Sequence, residues 1–115
     1  MSFVMDNGML SLARPIFHIF LHFFVPFLVA RYFFGEKYFR PWLIMSATIL
    51  VDLDHLLADP IFDPNRCSIG FHPLHSYYAI AMYAVLTAFA KTRLLGSGFL
   101  IHMFLDGIDC LCMLL

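Results

Sequence analysis

The chain has 115 residues and a formal net charge of −1, which bounds it to one domain. Hydrophobic residues make up 62% of it and charged residues 13%, against roughly 45–50% and about 25% in an ordinary soluble domain, so the composition points to a membrane. The near-neutral balance and the lack of basic runs exclude nucleic acid as a natural partner.

The first apolar segment spans about 15–34. Pro15 suits a first helical turn, where its missing N–H is harmless, and Pro26 is expected to kink the helix midway. Leu28-Val29-Ala30 leads straight into Arg31-Tyr32-Phe33 with no small-x-small cleavage site, so the segment reads as a retained span rather than a signal peptide. A short polar turn from Gly35 to Arg40 follows. The second segment, about 41–58, opens on Pro41 and closes at Asp59-Pro60. Residues 59–72 form the one long loop, rich in turn formers. The third segment, about 73–90, joins the fourth, about 94–115, through Lys91-Thr92-Arg93. Each is roughly 18–22 residues, enough to cross ~30 Å of hydrocarbon at 1.5 Å per residue. The expected fold is all-α: a single-domain, integral membrane four-helix transmembrane bundle surrounded by a lipid bilayer, with the 14 phenylalanines suited to its lipid-facing surface.

Basic residues set the expected orientation. Arg31, Lys37, Arg40, Lys91 and Arg93 fall on one side, Arg14 and Arg66 on the other. The positive-inside rule then places both termini and the long loop away from the cytoplasm, in a setting such as the bacterial inner membrane. Cys67, Cys110 and Cys112 match neither CxxC spacing nor a disulfide framework and read as small buried or loop residues. A bridge from Cys67 to Cys110 or Cys112 on the outer side is sterically conceivable.

Each segment carries ionisable residues that are expensive inside a membrane, about 2.5–3.5 kcal/mol or more at mid-bilayer. His18 and His22 open the first segment. Asp52, Asp54 and His55 close the second, His72 and His75 open the third, and His102, Asp106 and Asp109 lie in the middle-to-outer half of the fourth. Residues three or four apart share a helical face, and an up-down-up-down bundle brings all these groups to one level. Facing helices build metal centres in this way. Buried carboxylates also need a cation, and Arg14 and Arg66 are too few to serve them all. The expected metal ligands are His18, His22, Asp52, His55, His72, His75, His102 and Asp106, holding one or two divalent ions. Imidazole and carboxylate without thiolate suit zinc, with manganese or iron as alternatives. Asp54 and Asp109 are the expected general base or orienters of a ligating histidine. Asp59 and Asp63 read as residues of the wet interface.

The order His…His, Asp-x-Asp-His, His-x-x-His-Ser, His-x-x-x-Asp resembles the membrane-bound metal-dependent hydrolases of the LexA-regulated inner-membrane type, and more closely a small uncharacterised bacterial membrane-protein family of about this length. Val51-Asp52-Leu53-Asp54-His55 matches that larger family's Pro-Asp-x-Asp-His, with Val51 in place of the proline. His72-Pro73-Leu74-His75-Ser76 matches a shortened form of its His-Arg-x-x-Thr-His-Ser, without the arginine, and His102-Met103-Phe104-Leu105-Asp106 matches its His-x-x-x-Asp. The resemblance runs from Pro15 to Asp109 and implies hydrolysis of an ester or phosphoester. A centre in the outer half of the membrane favours a lipid or amphipathic substrate, with Arg66 on the loop available for a phosphate. The competing expectations are a metal carrier or non-catalytic metal-binding membrane protein, a di-iron membrane oxidase, and a haem protein. The first is opposed by cytoplasmic helix halves that lack such groups. The second is opposed by the few histidines and the short chain, and the third by the many carboxylates. Oligomeric state is not legible in these residues.

Overall fold

A computed structural model describes residues 7–59 and 67–114. Four α-helices carry the chain: α1 (Asn7–Phe34), α2 (Phe39–Ser46), α3 (Tyr77–Ala88) and α4 (Arg93–Leu114). Short 3₁₀ turns cover Gly35–Lys37 and Pro73–His75, and a longer 3₁₀ segment covers Ala47–Leu57. Among the described residues there is no strand, so the all-α expectation holds. α4 packs against α1, α2 and α3, and α1 against α2.

Several boundaries differ from expectation, each for a local reason. α1 begins at Asn7 rather than near residue 15, because Met9, Leu10, Leu12 and Ala13 are good helix formers. Pro15 and Pro26 both lie within it. Gly35, at φ +57°, takes the left-handed conformation that lets the chain leave the helix.

The second segment is not one α-helix. It tightens at Ala47 into eleven residues of 3₁₀ helix, where three or four is the common limit. The change coincides with the β-branched residues Thr48, Ile49 and Val51, whose side chains crowd an α-helix. Thr48 Oγ1 donates to the Met45 carbonyl at 2.6 Å at the junction. With three residues per turn, Thr48, Val51 and Asp54 form one buried stripe.

α3 starts at Tyr77 rather than Pro73. Ser76 is its N-cap: its backbone is extended (ψ 163°) and its hydroxyl accepts from the Ala79 N–H at 3.2 Å, satisfying one of the otherwise orphaned donors.

Small residues bring the helices close. A Cβ on Gly98 would stand 2.7 Å from the Met45 Cα, and one on Gly96 would stand 2.5 Å from the Thr87 backbone nitrogen. Val51, Tyr83 and Met103 form the buried apolar cluster, and the Tyr83 ring stacks on Phe99 at 4.4 Å. Yet of the three largest fully buried side chains, Met45, His75 and His102, two are histidines. The centre of this bundle is polar.

Two helical stretches, Ala13–Lys37 and Arg93–Cys112, are long and apolar enough to cross a membrane. α3 is apolar, but its 12 residues reach only about 18 Å.

Cys67 and Cys110 form a disulfide, and Cys112 is free and exposed. The bridge ties the return of the long loop to the end of α4.

Candidate metal centre

The histidines and aspartates converge in two adjoining groups and a third beside them. The first group is Asp52, His75, His102 and Asp106. His75 Nε2 lies 3.2 Å from Asp52 Oδ1, 2.9 Å from Asp106 Oδ2 and 3.4 Å from His102 Nε2. His102 Nε2 lies 3.1 Å from Asp52 Oδ1 and 3.2 Å from Asp106 Oδ2. These are five of the six separations among the four atoms, and they lie in the range of a tetrahedral ligand set. Four ligands at the zinc–nitrogen and zinc–oxygen distances of about 2.0–2.1 Å stand about 3.3–3.4 Å apart.

The second group is His18, His22 and Asp106. His18 Nε2 is 2.8 Å and His22 Nε2 is 3.3 Å from Asp106 Oδ1. Asp106 thus offers one oxygen to each group. His22 Nδ1 donates to the His18 carbonyl at 2.8 Å, which fixes Nε2 as the free, ligand-type nitrogen.

A fully hydrogen-bonded polar core would leave no orphans. Here His22 Nε2, Asp106 Oδ2 and His102 Nδ1 are buried without a well-aligned hydrogen bond, although His22 Nε2 lies 3.3 Å from Asp106 Oδ1 and Asp106 Oδ2 lies 2.9 Å from His75 Nε2. Two of the three face into the groups just described, in the manner of ligand atoms. The donor sets can hold a metal ion.

Asp54 does something different from its neighbour Asp52. Its side chain is 2% exposed and faces the far nitrogen of His75. Oδ2 accepts from His75 Nδ1 at 3.0 Å and from the Leu74 N–H at 2.9 Å, while Oδ1 accepts from His55 Nδ1 at 3.2 Å. With Nδ1 donating, a neutral His75 carries its lone pair on Nε2, aimed at Asp52, His102 and Asp106. This is the carboxylate–histidine arrangement that orients metal-binding imidazoles. Of the two roles expected for Asp54, the geometry gives it that of orienter. The 3₁₀ segment makes the grip possible: at about 120° per residue, Asp52 and Asp54 project about 120° apart and reach opposite nitrogens of one ring.

His55 and His72 stand outside the two adjoining groups. They form a third set with Asp54 that could likewise hold a metal ion, their rings 3.9 Å apart. Asp109 points elsewhere: its Oδ1 lies 3.4 Å from Arg14 Nε, on the turn beyond Asp106. Arg66 and Asp63 lie outside the described residues.

Sequence reasoning missed the residues that hold the His75 turn. Tyr83 donates its hydroxyl to the Leu74 carbonyl at 2.7 Å. Gly70, at φ +82°, donates its N–H to the His75 carbonyl at 3.0 Å. A tyrosine within an apolar helix was the available signal for the first, since a buried phenol needs a partner.

The model of a family of unknown function (DUF6122) matches residues 12–113. No curated protein and no solved structure matches the chain.

Proposed function

The chain belongs to this family of unknown function, and we propose that it is a membrane-embedded, metal-dependent hydrolase of an ester or phosphoester in a lipid or amphipathic substrate. The observation that carries the reading is the sharing of Asp106 between a four-donor tetrahedral set and a three-donor set. Four protein ligands close a zinc site, whereas three leave one position for water or substrate. His75, His102, Asp52 and Asp106 Oδ2 would hold the closed ion, and His18, His22 and Asp106 Oδ1 the open one. Zinc suits the donor types and the spacing.

The residues divide the work. Asp54 holds His75 in its ligand tautomer, and the His18 carbonyl does the same for His22. Asp52, with 40% of its side chain exposed, would take a proton from water at its second oxygen. A divalent ion held there would supply Lewis acidity, which lowers the pKa of water toward about 7 and offsets charge on substrate oxygens. In the net reaction the oxygen of water bonds to the acyl carbon or phosphorus, and the ester oxygen departs with a proton.

The surface supports a bilayer setting. Phe17, Phe20 and Phe24 on α1, Leu53, Leu56 and Leu57 on the 3₁₀ segment, and Met82 and Val85 on α3 all point outward. Burying each from water is worth about 1.5–3 kcal/mol, which lipid supplies and water does not. α2 and the 3₁₀ segment together reach about 34 Å, since the tighter helix rises about 2.0 Å per residue. The irregular stretch before α3 has its polar backbone met internally by Asp54, Tyr83, Gly70 and its own turns, as membrane depth requires. Two independent features favour a non-cytoplasmic site: the basic residues gathered at the other end, and a disulfide, which persists in oxidising compartments.

The test is zinc bound per chain after dialysis, together with zinc-dependent turnover of a short-chain ester and a phosphodiester, in wild type, Asp52→Ala and His102→Ala. Loss of metal and turnover in both variants supports the reading. Unchanged stoichiometry in both refutes the site. Tight metal without turnover in the wild type refutes catalysis and leaves a metal-binding or carrier protein.

A further inference from the structure

Arg14 precedes His18 by one turn of α1, and Asp109 follows Asp106 by one turn of α4. The Arg14–Asp109 contact, 3.4 Å from Nε to Oδ1, therefore stacks on the His18–Asp106 contact, about 6 Å farther along the helix axis. Asp109 is the one polar partner of Arg14 among the described residues, and even so Arg14 Nε lacks a hydrogen bond. The side chain is 31% exposed. The other described lysines and arginines (Arg31, Lys37, Arg40, Lys91 and Arg93) lie toward the opposite end of the helices. Among the described residues, then, one guanidinium stands one turn from the three-donor set, with Asp109 its one partner there.

Resting on the hydrolase reading above, we infer that Arg14 anchors a phosphate oxygen of the substrate, so that the substrate is an anionic phosphoester on an apolar carrier rather than a neutral ester. The distances suit a phosphate. One of its oxygens at about 2.0–2.2 Å from an ion and another at about 2.8 Å from a guanidinium nitrogen together span about one helical turn. A neutral ester offers only a carbonyl oxygen and a weakly accepting alkoxy oxygen, with no charge for the guanidinium to pair with. The planar fork of arginine matches paired phosphate oxygens, whereas lysine offers only a point charge. Asp109 positions the guanidinium without saturating it. The apolar carrier has a bed in Ile16, Phe17, Ile19 and Phe20, which flank His18 and are exposed.

The experiment titrates decyl phosphate into the zinc-loaded full chain in detergent, followed by calorimetry, for wild type, Arg14→Lys, Arg14→Gln and Asp109→Asn. Zinc content is measured in parallel. Arg14→Gln is expected to weaken decyl phosphate binding about 10–100-fold, the worth of a charged hydrogen bond. Arg14→Lys should recover part of this, and Asp109→Asn, which loosens the guanidinium without removing it, should weaken binding by less than Arg14→Gln. All three variants should keep wild-type zinc. Equal binding by wild type and Arg14→Gln overturns the inference, and so does loss of zinc in Arg14→Gln, which would make Arg14 merely structural. Turnover separates the two readings. Hydrolysis of a neutral ester that is indifferent to Arg14→Gln, with no phosphodiester cleavage, overturns the inference and leaves the hydrolase. Absence of any turnover overturns the hydrolase, while decyl phosphate binding still decides the role of Arg14.

Discussion

Removing the Asp54 carboxylate tests the design of the centre at a residue outside both of the adjoining donor sets. Asp54→Ala strips the acceptor from His75 Nδ1 and from the Leu74 N–H, at 3.0 and 2.9 Å. His75 is then free to carry its proton on Nε2, the atom that faces Asp52, His102 and Asp106, and a protonated nitrogen cannot bind a metal. Loss of such an orienting partner costs about 10–100-fold in metal affinity, or about 1.4–2.7 kcal/mol. Asp54→Asn keeps one oxygen for His75 but replaces a charge-assisted acceptor with a neutral one, so its loss should lie near the lower end of that range. The effect should be confined to one ion, because the His18, His22 and Asp106 set does not involve His75. Competition against a chromophoric zinc chelator in detergent, fitted to two sites, measures both constants, and helical circular dichroism checks the fold. Unchanged affinity in Asp54→Ala, or equal weakening of both sites with helicity intact, would refute the assignment.

Asp106→Ala should abolish both sites, since each takes one of its oxygens; zinc should then no longer raise the thermal midpoint of the protein as it does for wild type. Gly98→Ala should destabilise the bundle by about 1–3 kcal/mol, because the new methyl meets the Met45 backbone at 2.7 Å; thermal unfolding in detergent reads this, and a wild-type midpoint would contradict the close α2–α4 approach. Cys67→Ser should lower stability by about 4 kcal/mol, the chain-entropy worth of a bridge across 43 residues. Denaturation with and without a thiol reductant checks it: wild type should respond to reductant and the variant should not.

The helices and their polar level were legible because they rest on spacing. His18/His22 and His102/Asp106 are one turn apart on α-helices, and the structure joins them at Asp106. Asp52 and Asp54 were legible as residues but not as partners. Their opposed grip on His75 depends on the 3₁₀ path of Ala47–Leu57, and a β-branched run alone does not distinguish that path from α-helix. His55 and His72 do meet as candidate ligands, but with Asp54 rather than at Asp106, because spacing reports which face a residue shares and not which neighbour it finds there. The start of α3 was misplaced for a related reason. Pro73 and Ser76 both open helices, and the hydroxyl contact with Ala79, invisible in one dimension, decided between them. The choice of Cys110 over Cys112 likewise depended on which side of α4 faces the returning loop.

The Cys67–Cys110 bridge also has a consequence for biogenesis. α4 is the last of the four helices to be synthesised, and it carries His102, Asp106 and the bridging cysteine. In the proposed topology the end of α4 reaches the oxidising side only after the other three helices have been inserted. Neither donor set is complete before that moment, because Asp106 belongs to both. Maturation would therefore draw its ion from the metal supply outside the cytoplasm, and a nascent chain stalled before α4 would leave the insertion machinery as an apoprotein.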